Sequence, residues 1–524
     1  MTGTLPARIV RASAMPVGTL KVPVAIVGAG ACGLVAALTL RDAGVDCVLL
    51  ERDLTPQGST ALSSGFIPAA GTQTQRAAGV LDDNPERFAI DIQAKARGTA
   101  AAHLVAAYCT AIGPVIDNLQ AHHGLQFELL DGFLYPGHRL RRMHCLPEKT
   151  GAALMGALLS AIERAGVWLL NQAQVFELWC DASDRVLGLA YARPDGQVER
   201  LACDAVILAC NGFGGNAAMV RALLPEMRDA IFAGHAGNDG SAIAWGRQLG
   251  ARLADLSGYQ GHGSWAVPQG ALITWALMMQ GGVQVNSRGE RFHDETAGYS
   301  EAAVHVIRQP GAVAWNVLDA RLLALGRHFP DFVQAEAVGA VRAAPDVAAL
   351  ARLVGCDTAV LRRTLSKTPL RGPFYAVRVT GALFHTQGGL DIDAQCRVLN
   401  REGRALPNLL AAGGAARGVS GNDVAAYLSG NGLLSALAGG LLPPTRSGAE
   451  LRVQSVGGAR RSRVMLECLA DWRRFLSIRE PFPVAPSRLA TASIQVFVPN
   501  WAITPLIQVY PSPAETGNIR GIRV

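Results

Sequence analysis

The feature that most constrains this chain is a glycine turn. Val22 to Val27 is a short run rich in β-branched residues, and it feeds directly into Gly28-Ala29-Gly30-Ala31-Cys32-Gly33. Leu34 to Ala43 follows with helical spacing and no breaker, Gly44 closes it, and Asp46 to Leu50 reads as a second strand ending at Glu51. Strand, turn, helix and strand of this kind make one βαβ unit. The three glycines then have separate duties: Gly28 permits the turn, Gly30 lets backbone N–H groups approach a pyrophosphate, and Gly33 lets helix and strand pack closely. Glu51 stands 18 residues after Gly33, placed to accept from ribose hydroxyls, and an acid there favours an unphosphorylated ribose. The pattern predicts a dinucleotide site in an α/β fold, and by itself it does not separate FAD from NAD.

A chain of 524 residues exceeds what one core ordinarily fills, so two globular domains built from a discontinuous chain are expected. Half of the residues are hydrophobic and only 17% are charged, which excludes extensive disorder. The net charge of +7 could signal nucleic acid or an acidic membrane surface. Its location decides otherwise: from Arg446 onward there are eleven Arg, no Lys and five acids, so the tail carries six of the seven charges and the body is nearly neutral. No nucleic-acid partner is expected. Lys occurs only at 21, 95, 149 and 367, the skew of a GC-rich, bacterial coding sequence rather than of a phosphate-binding surface. The ten Cys make no CxxC pair and no Cys/His metal spacing, so they read as reduced packing residues with no metal site. The first 21 residues lack the apolar core of a signal peptide. No apolar run reaches the roughly 18 residues of a transmembrane segment. A cytoplasmic location is expected.

Along the chain, helix is expected from about Pro85 to His122 and from Lys149 to Ala165. Val186 to Arg193 and Gln197 to Ala209 read as a hairpin around Pro194-Asp195-Gly196. The second strand runs into another glycine turn, Cys210 to Gly215, which includes Gly212. Residues 262–385 change character, with hairpin signals at Gly281-Gly282 and Ser287-Arg288-Gly289, and read as an inserted domain. From Thr386 strands return, Leu409 to Ala412 leads into Gly413-Gly414, and a helix is expected from about Gly430 to Gly439. The tail offers one possible helix, Arg461 to Ile478.

Ser59, Thr60, Ser63, Ser64 and Gly65 place small and hydroxyl residues just beyond the ribose strand. With Cys210 to Gly215 and with Gly413 and Gly414, they supply the backbone donors that a long, extended FAD needs.

At this point the chain resembles the flavoprotein superfamily of fumarate reductase, succinate dehydrogenase and 3-ketosteroid dehydrogenases, over about residues 22–442. The resemblance rests on GAGACG with Glu51, GSTALSSG, GGVQVNSRGERFHDE (281–295), PFYAVRVTGALFHTQGGLDID (373–393), NLLAAGGAARGVSG (408–421) and YLSGNGLLSAL (427–437). It implies a Rossmann-like, GR2-type FAD-binding domain at 22–261 and 386–445, with an inserted α+β capping domain at 262–385. An N-terminal extension (1–21) and a basic C-terminal extension (446–524) would flank them. Members with covalent flavin carry a His after the ribose strand; GSTALSSG has none, so noncovalent FAD is implied.

The departures from the superfamily bear on substrate. Where fumarate reductases carry a proton-donating Arg after RFHDE, this chain has Tyr299; where they clamp a carboxylate with an Arg before the L-x-G-N segment, it has Tyr427. A Glu and an Arg of their proton relay fall on Trp275 and Met278. Losing both arginines argues against a dicarboxylate, whose two charges need guanidinium partners in a dry site. Ketosteroid dehydrogenases resemble the chain at Tyr299, and the 4-ene-forming type also at Tyr427 and Ser429, so the implied substrate is a small, neutral cyclic ketone. Dehydrogenation beside a ketone needs a base for the α proton, a donor for the oxygen and flavin N5 for the hydride. Tyr299 and Tyr427 jointly take the roles of base and donor, with Ser429 as their hydrogen-bond partner. Tyrosine serves as base only if neighbours lower its pKa of about 10. His385, before Thr386-Gln387-Gly388-Gly389, and His262 are further candidates, whereas His144 reads as part of a solvated basic turn. The electron acceptor is unidentified. Two alternatives stand beside this reading. One is an ene-reductase of an unsaturated carboxylate, held by Arg139, Arg141 or Arg417; the other is a flavin-binding redox partner that docks through the basic tail.

Overall fold

Four consecutive apolar residues, Val24 to Val27, are buried, as in a strand covered on both faces at the centre of a parallel sheet. The computed structural model describes residues 5–441; the possible helix from Arg461 to Ile478 and the basic tail lie outside the described residues. Strand Leu20–Val27 runs parallel to Cys47–Leu50 on one side and to Val198–Leu208 on the other. Trp168–Leu170 extends the sheet beyond Cys47–Leu50. Val198–Leu208 divides its outer edge between two partners, Val186–Ala192 antiparallel along its first half and Ala405–Ala411 parallel at its last three residues. The hairpin around Pro194-Asp195-Gly196 is therefore present, with Gly196 at φ 85°. Gln174–Cys180, Arg8–Arg11 and Arg397–Leu399 complete nine strands. Part of the N-terminal segment joins the sheet: Arg8–Arg11 pairs in parallel with Gln174–Cys180, and Leu20 already belongs to the central strand.

Helix Ala31–Asp42 is apolar almost all round because it is enclosed almost all round. A Cβ on Gly440 would lie 2.8 Å from the Cβ of Val35, so the helix Asn431–Gly440 crosses it at close range only because glycine stands there. The expected continuous helix from Pro85 to His122 is instead two, Pro85–Lys95 and Ala102–His123. Arg97 and Gly98 both take left-handed φ (51° and 75°), and the Gly98 N–H donates back to Gln93 O at 2.9 Å. That is a glycine helix stop, a local signal that the apolar periodicity masks.

The second sheet has seven strands arranged about the long strand Phe374–Thr386. It draws on residues from Ile231 to Thr386, beginning upstream of the expected boundary at 262. Val283–Val285 does not fold back on its own glycine turns as a hairpin but pairs with Ala314–Asp319. Helix Tyr299–Ile307 lies directly on strand Tyr259–Ala266. Glycines make that approach possible, since a Cβ at Gly261 would sit 2.8 Å from the Cβ of Ala303 and one at Gly263 2.7 Å from that of Ala302. The packing delivers Tyr299, the first residue of the helix, to the inner side of the sheet. No described helix is long and apolar enough to cross a membrane.

A buried charge cluster joins helix Pro85–Lys95 to the start of the short strand Met143–Cys145. Arg142, only 1% exposed, donates twice to Asp83 at 2.7 Å and also to Asp91, which Arg139 binds as well. His144 is fully buried in strand Met143–Cys145, in contact with Thr72 Oγ1 and Arg142 O at 2.8 Å each. It does not stand on a solvated turn, because the strand is covered on both faces: Met143, His144 and Cys145 are all buried. Replacing Arg142 would leave buried Asp83 without its cation and Asp91 with Arg139 alone, so Arg142→Met is expected to destabilise the fold by about 3–5 kcal/mol. Urea unfolding followed by circular dichroism measures this.

Candidate active site

One cleft, with about 1940 Å³ of empty space including open solvent, is lined by the glycine turns of the first sheet and by residues of the second. Gly28, Gly30, Cys32 and Glu51 line it, as do Ser59, Thr60, Ser63, Ser64, Gly65, Gly413 and Gly414. Gly33 and Gly212 do not. A Cβ on Gly33 would fall 1.9 Å from Gly28 O, and one on Gly212 2.0 Å from Thr386 Oγ1, so these two glycines serve packing behind the cleft.

The local geometry separates the remaining roles. Gly28 takes φ 104°, donates to Leu50 O at 2.8 Å, and a Cβ there would meet Ala209 O at 2.6 Å. Gly30 is different: the nearest atom to an added Cβ is Thr60 Oγ1 at 3.7 Å, so the protein itself does not require glycine there. The space belongs to the cleft, beside the first turn of the twelve-residue helix Ala31–Asp42, whose amides beyond Ala31 point to it, a ready cradle for phosphate. Glu51 is buried, accepting from Ala29 N–H at 2.9 Å and from Asp53 N–H at 3.0 Å. Each oxygen keeps a lone pair for a ribose hydroxyl. Ser59 Oγ accepts from the amides of Asn211 and Asn238 at 2.9 and 3.0 Å, Thr60 Oγ1 accepts from Ala31 N–H at 3.1 Å, and Ser64 Oγ donates to Asp331 at 2.7 Å. Ser435 Oγ, buried with no partner, also lines the cleft and offers a flavin a free hydroxyl. These residues fit FAD.

Sequence reasoning missed a charged cluster beside Glu51. Arg52 pairs with Asp239 at 3.2 Å and His235 with Asp53 at 3.0 Å. Arg52 and Asp53 could have been suspected from their adjacency to Glu51; His235 and Asp239 arrive from a distant loop and carry no local signal.

The other end of the cleft brings together Tyr299, Tyr427, Ser429 and His385. Both tyrosines and Ser429 are buried. The Tyr299 ring stacks on His262 with centroids 4.9 Å apart, and Trp275 stands edge-on to His262 at 5.7 Å. Tyr427 lies 6.1 Å from Tyr299 and 5.8 Å from the His385 ring. Its hydroxyl accepts from Gly432 N–H at 3.3 Å, in the first turn of helix Asn431–Gly440. A Cβ on Gly432 would sit 2.6 Å from His385 Nε2, so glycine is what admits the histidine. His138 Nε2 donates to Ser429 O at 2.9 Å, in the turn that leads into helix Asn431–Gly440.

Burial sets the electrostatics. It pushes the Tyr299 hydroxyl up to about 12, although hydrogen bonding from Ser429 and Tyr427 pulls the other way, and it pushes Tyr427 well above the usual range. It pushes His262 down to about 3 and His385 to about 4. All four are uncharged at neutral pH. Both tyrosine hydroxyls are shifted upward by burial, a direction that suits a donor rather than a base. The candidate arginines are also elsewhere: Arg139 pairs with Asp91, Arg141 with Asp131, and Arg417 with Asp255 and Asp391. Among the described residues Arg52 is the one Lys or Arg lining the cleft, and it belongs with the Glu51 end.

The sequence pattern of the FAD-binding domain family matches residues 23–433. The chain belongs to that family. Within it, a probable fumarate reductase of Shewanella frigidimarina is 27% identical over 429 residues, spanning 78% of this chain and 72% of the relative. A urocanate reductase of Eggerthella lenta is 26% identical, spanning 75% and 70%. Among solved structures, the open conformation of a flavocytochrome c3 fumarate reductase superposes with a TM-score of 0.69 at 25% identity, over 81% of this chain and 77% of that one. A 3-ketosteroid-Δ4-(5α)-dehydrogenase from Rhodococcus jostii, in complex with 4-androstene-3,17-dione, gives 0.66 over 84% and 98% at 24% identity, a likeness of fold. The FAD-binding α/β fold is thereby established, and the protein is an FAD-dependent oxidoreductase.

Four buried histidines link stability to pH. Burial lowers His138 and His144 to about 4, His262 to about 3 and His385 to about 4. Each binds a proton in the unfolded chain below pH ~6.5 but not in the folded one. Their contribution is complete above that pH and is lost as pH falls toward 4. The expected loss is roughly 1.4 kcal/mol per pH unit for each histidine. Urea unfolding at pH 7, 6 and 5 should show the decline, with a slope shallower by about one proton in His144→Gln.

Proposed function

We propose that this FAD-binding domain protein transfers a hydride and a proton across a carbon–carbon bond adjacent to the carbonyl of a neutral, cyclic ketone. In this reading the first sheet and its glycine turns hold FAD noncovalently, the second sheet, drawn from Ile231 to Thr386, caps it, and the enzyme works in the cytoplasm. When bound, FAD supplies a two-electron centre whose N5 exchanges hydride with the substrate β carbon.

The observation that carries the proposal is the lack of any cation, among the described residues, around Tyr299, Tyr427, His262 and His385. A carboxylate entering that end would lose its hydration without gaining a guanidinium, at a cost of several kcal/mol per charge. A ketone meets a better match. Its oxygen accepts from neutral N–H and O–H groups, and its rings lie among Trp275, Tyr299 and Phe384.

Tyr299 or Tyr427 then handles the proton at the α carbon. An enolate carbon is a far stronger base than a phenolate, even one whose conjugate acid is raised to about 12. A neutral tyrosine therefore fits delivery of the proton, the direction of alkene reduction. The opposite direction requires the same hydroxyl to begin as phenolate, which burial disfavours.

A second reading, reduction of an unsaturated carboxylate, is favoured by the names of the reductases to which the chain is similar. One experiment separates the two. FAD-loaded protein, kept anaerobic with a reduced viologen dye as donor, is offered 4-androstene-3,17-dione, fumarate, urocanate and acrylate in parallel. Dye oxidation with the enone alone is expected; turnover of an acid but not of the enone would sink the proposal. Tyr299→Phe and Tyr427→Phe should each lower kcat by about 10²–10⁴-fold while the flavin spectrum stays unchanged.

A further inference from the structure

Strand Tyr259–Ala266 slips in register against Phe374–Thr386 between His262 and Trp265, a β-bulge that frees backbone groups from the ladder. Two of those groups find side-chain partners. The Ser264 N–H turns back to His262 Nδ1 at 3.1 Å, and the Gly263 carbonyl accepts from Gln284 Nε2 at 2.8 Å. We infer that Gln284, Asn316 and Ser264 form a buried positioning relay that locks this bulge, fixing His262 as the Nε2–H tautomer so that it presents a hydrogen-bond donor to a carbonyl oxygen in the cleft.

The relay is continuous and each member is satisfied in one sense. His293 Nε2 contacts Gln284 Oε1 at 2.7 Å, which sends the Gln284 amide nitrogen inward. That nitrogen donates to Asn316 Oδ1 at 2.8 Å, and Asn316 Nδ2 donates to Ser264 Oγ at 2.9 Å. Gln284 and Asn316 are direct cross-strand partners, and both are fully buried with Ser264. Three fully buried polar side chains in an otherwise apolar core cost stability unless they serve a purpose. They converge on Gly263 O and the Ser264 hydroxyl, which hold in place the residue whose backbone N–H decides which ring nitrogen of His262 is the acceptor. With Nδ1 occupied by that N–H, a neutral imidazole carries its hydrogen on Nε2. None of the three touches the space a substrate would fill, so they act through His262 and are positioning residues.

The role assigned to the His262 donor rests on the functional reading above, whereas the tautomer itself does not, and the test keeps them apart. In FAD-loaded protein with ¹⁵N-labelled histidine, the His262 signals, assigned by their loss in His262→Ala, should show protonated Nε2 and bare Nδ1 at every pH from 6 to 8. A protonated Nδ1 in that wild-type spectrum overturns the inference, whatever any variant does. In Asn316→Ala the Nδ1–H form should become visible, and kcat for the enone should fall about tenfold with FAD affinity retained. The same substitution in the His262→Ala background should change kcat less than twofold, since an indirect effect cannot persist without its target. A full tenfold loss there overturns the relay. If the tautomer behaves as stated and no ketone is turned over, the functional reading falls and the relay stands.

Discussion

The structure depends on backbone meeting backbone where no side chain could fit. Gly33 brings helix Ala31–Asp42 against Gly28, where a Cβ in turn would meet Ala209 O at 2.6 Å, just past the end of the neighbouring strand. Because both contacts involve carbonyl groups fixed in the sheet, neither can be relieved by rotating a side chain. They fix the height at which the helix begins above the sheet. Everything that lines the Glu51 end of the cleft is referred to that height, including the first turn of the helix and the space beside Gly30.

The same device recurs wherever the molecule needs two elements closer than ordinary packing allows. Gly261 and Gly263 let helix Tyr299–Ile307 settle onto its strand, and Gly432 admits His385 beside the first turn of Asn431–Gly440. The first contact stacks Tyr299 on His262, and the second sets His385 within reach of Tyr427. Glycine in these elements weakens them intrinsically, by about 0.5–1 kcal/mol each relative to alanine. The compensation is a site made of groups from both sheets without long side chains spanning the gap.

How much of this was legible in the sequence depends on the range of the interaction. The βαβ unit, the hairpin around Gly196 and the glycine turn at Gly413 are local, and periodicity with turn chemistry revealed them. Gly33 and Gly212 were recognisable as essential glycines, but only coordinates show that Gly212 packs against Thr386 rather than facing a ligand. His144 was misread because burial depends on what covers a strand, which no local pattern records. The helix break at Arg97 and Gly98 was hidden because apolar spacing continues through it. The protonation states of the tyrosines were out of reach for the same reason as His144: desolvation sums over the whole surroundings and outweighs the neighbours that sequence can name.

Taken together, the substrate end of the cleft is polar without being charged. Its orienting partners are backbone groups and neutral amides: Gly432 N–H for Tyr427, Ser264 N–H for His262, and the Gln387 amide for His385 at 3.1 Å. One cluster of buried charges, Arg142 with Asp83 and Asp91, is paired internally away from the cleft. A site of this kind discriminates by what it refuses to solvate. A neutral carbonyl exchanges water for equivalent hydrogen bonds and gains the burial of its apolar rings, whereas an anion of the same shape forfeits its hydration and finds no cation in return. In the proposed reading, Tyr299 and Tyr427 stand where the resemblance to fumarate reductases implies arginines, and that end of the cleft then offers an anion no cation among the described residues.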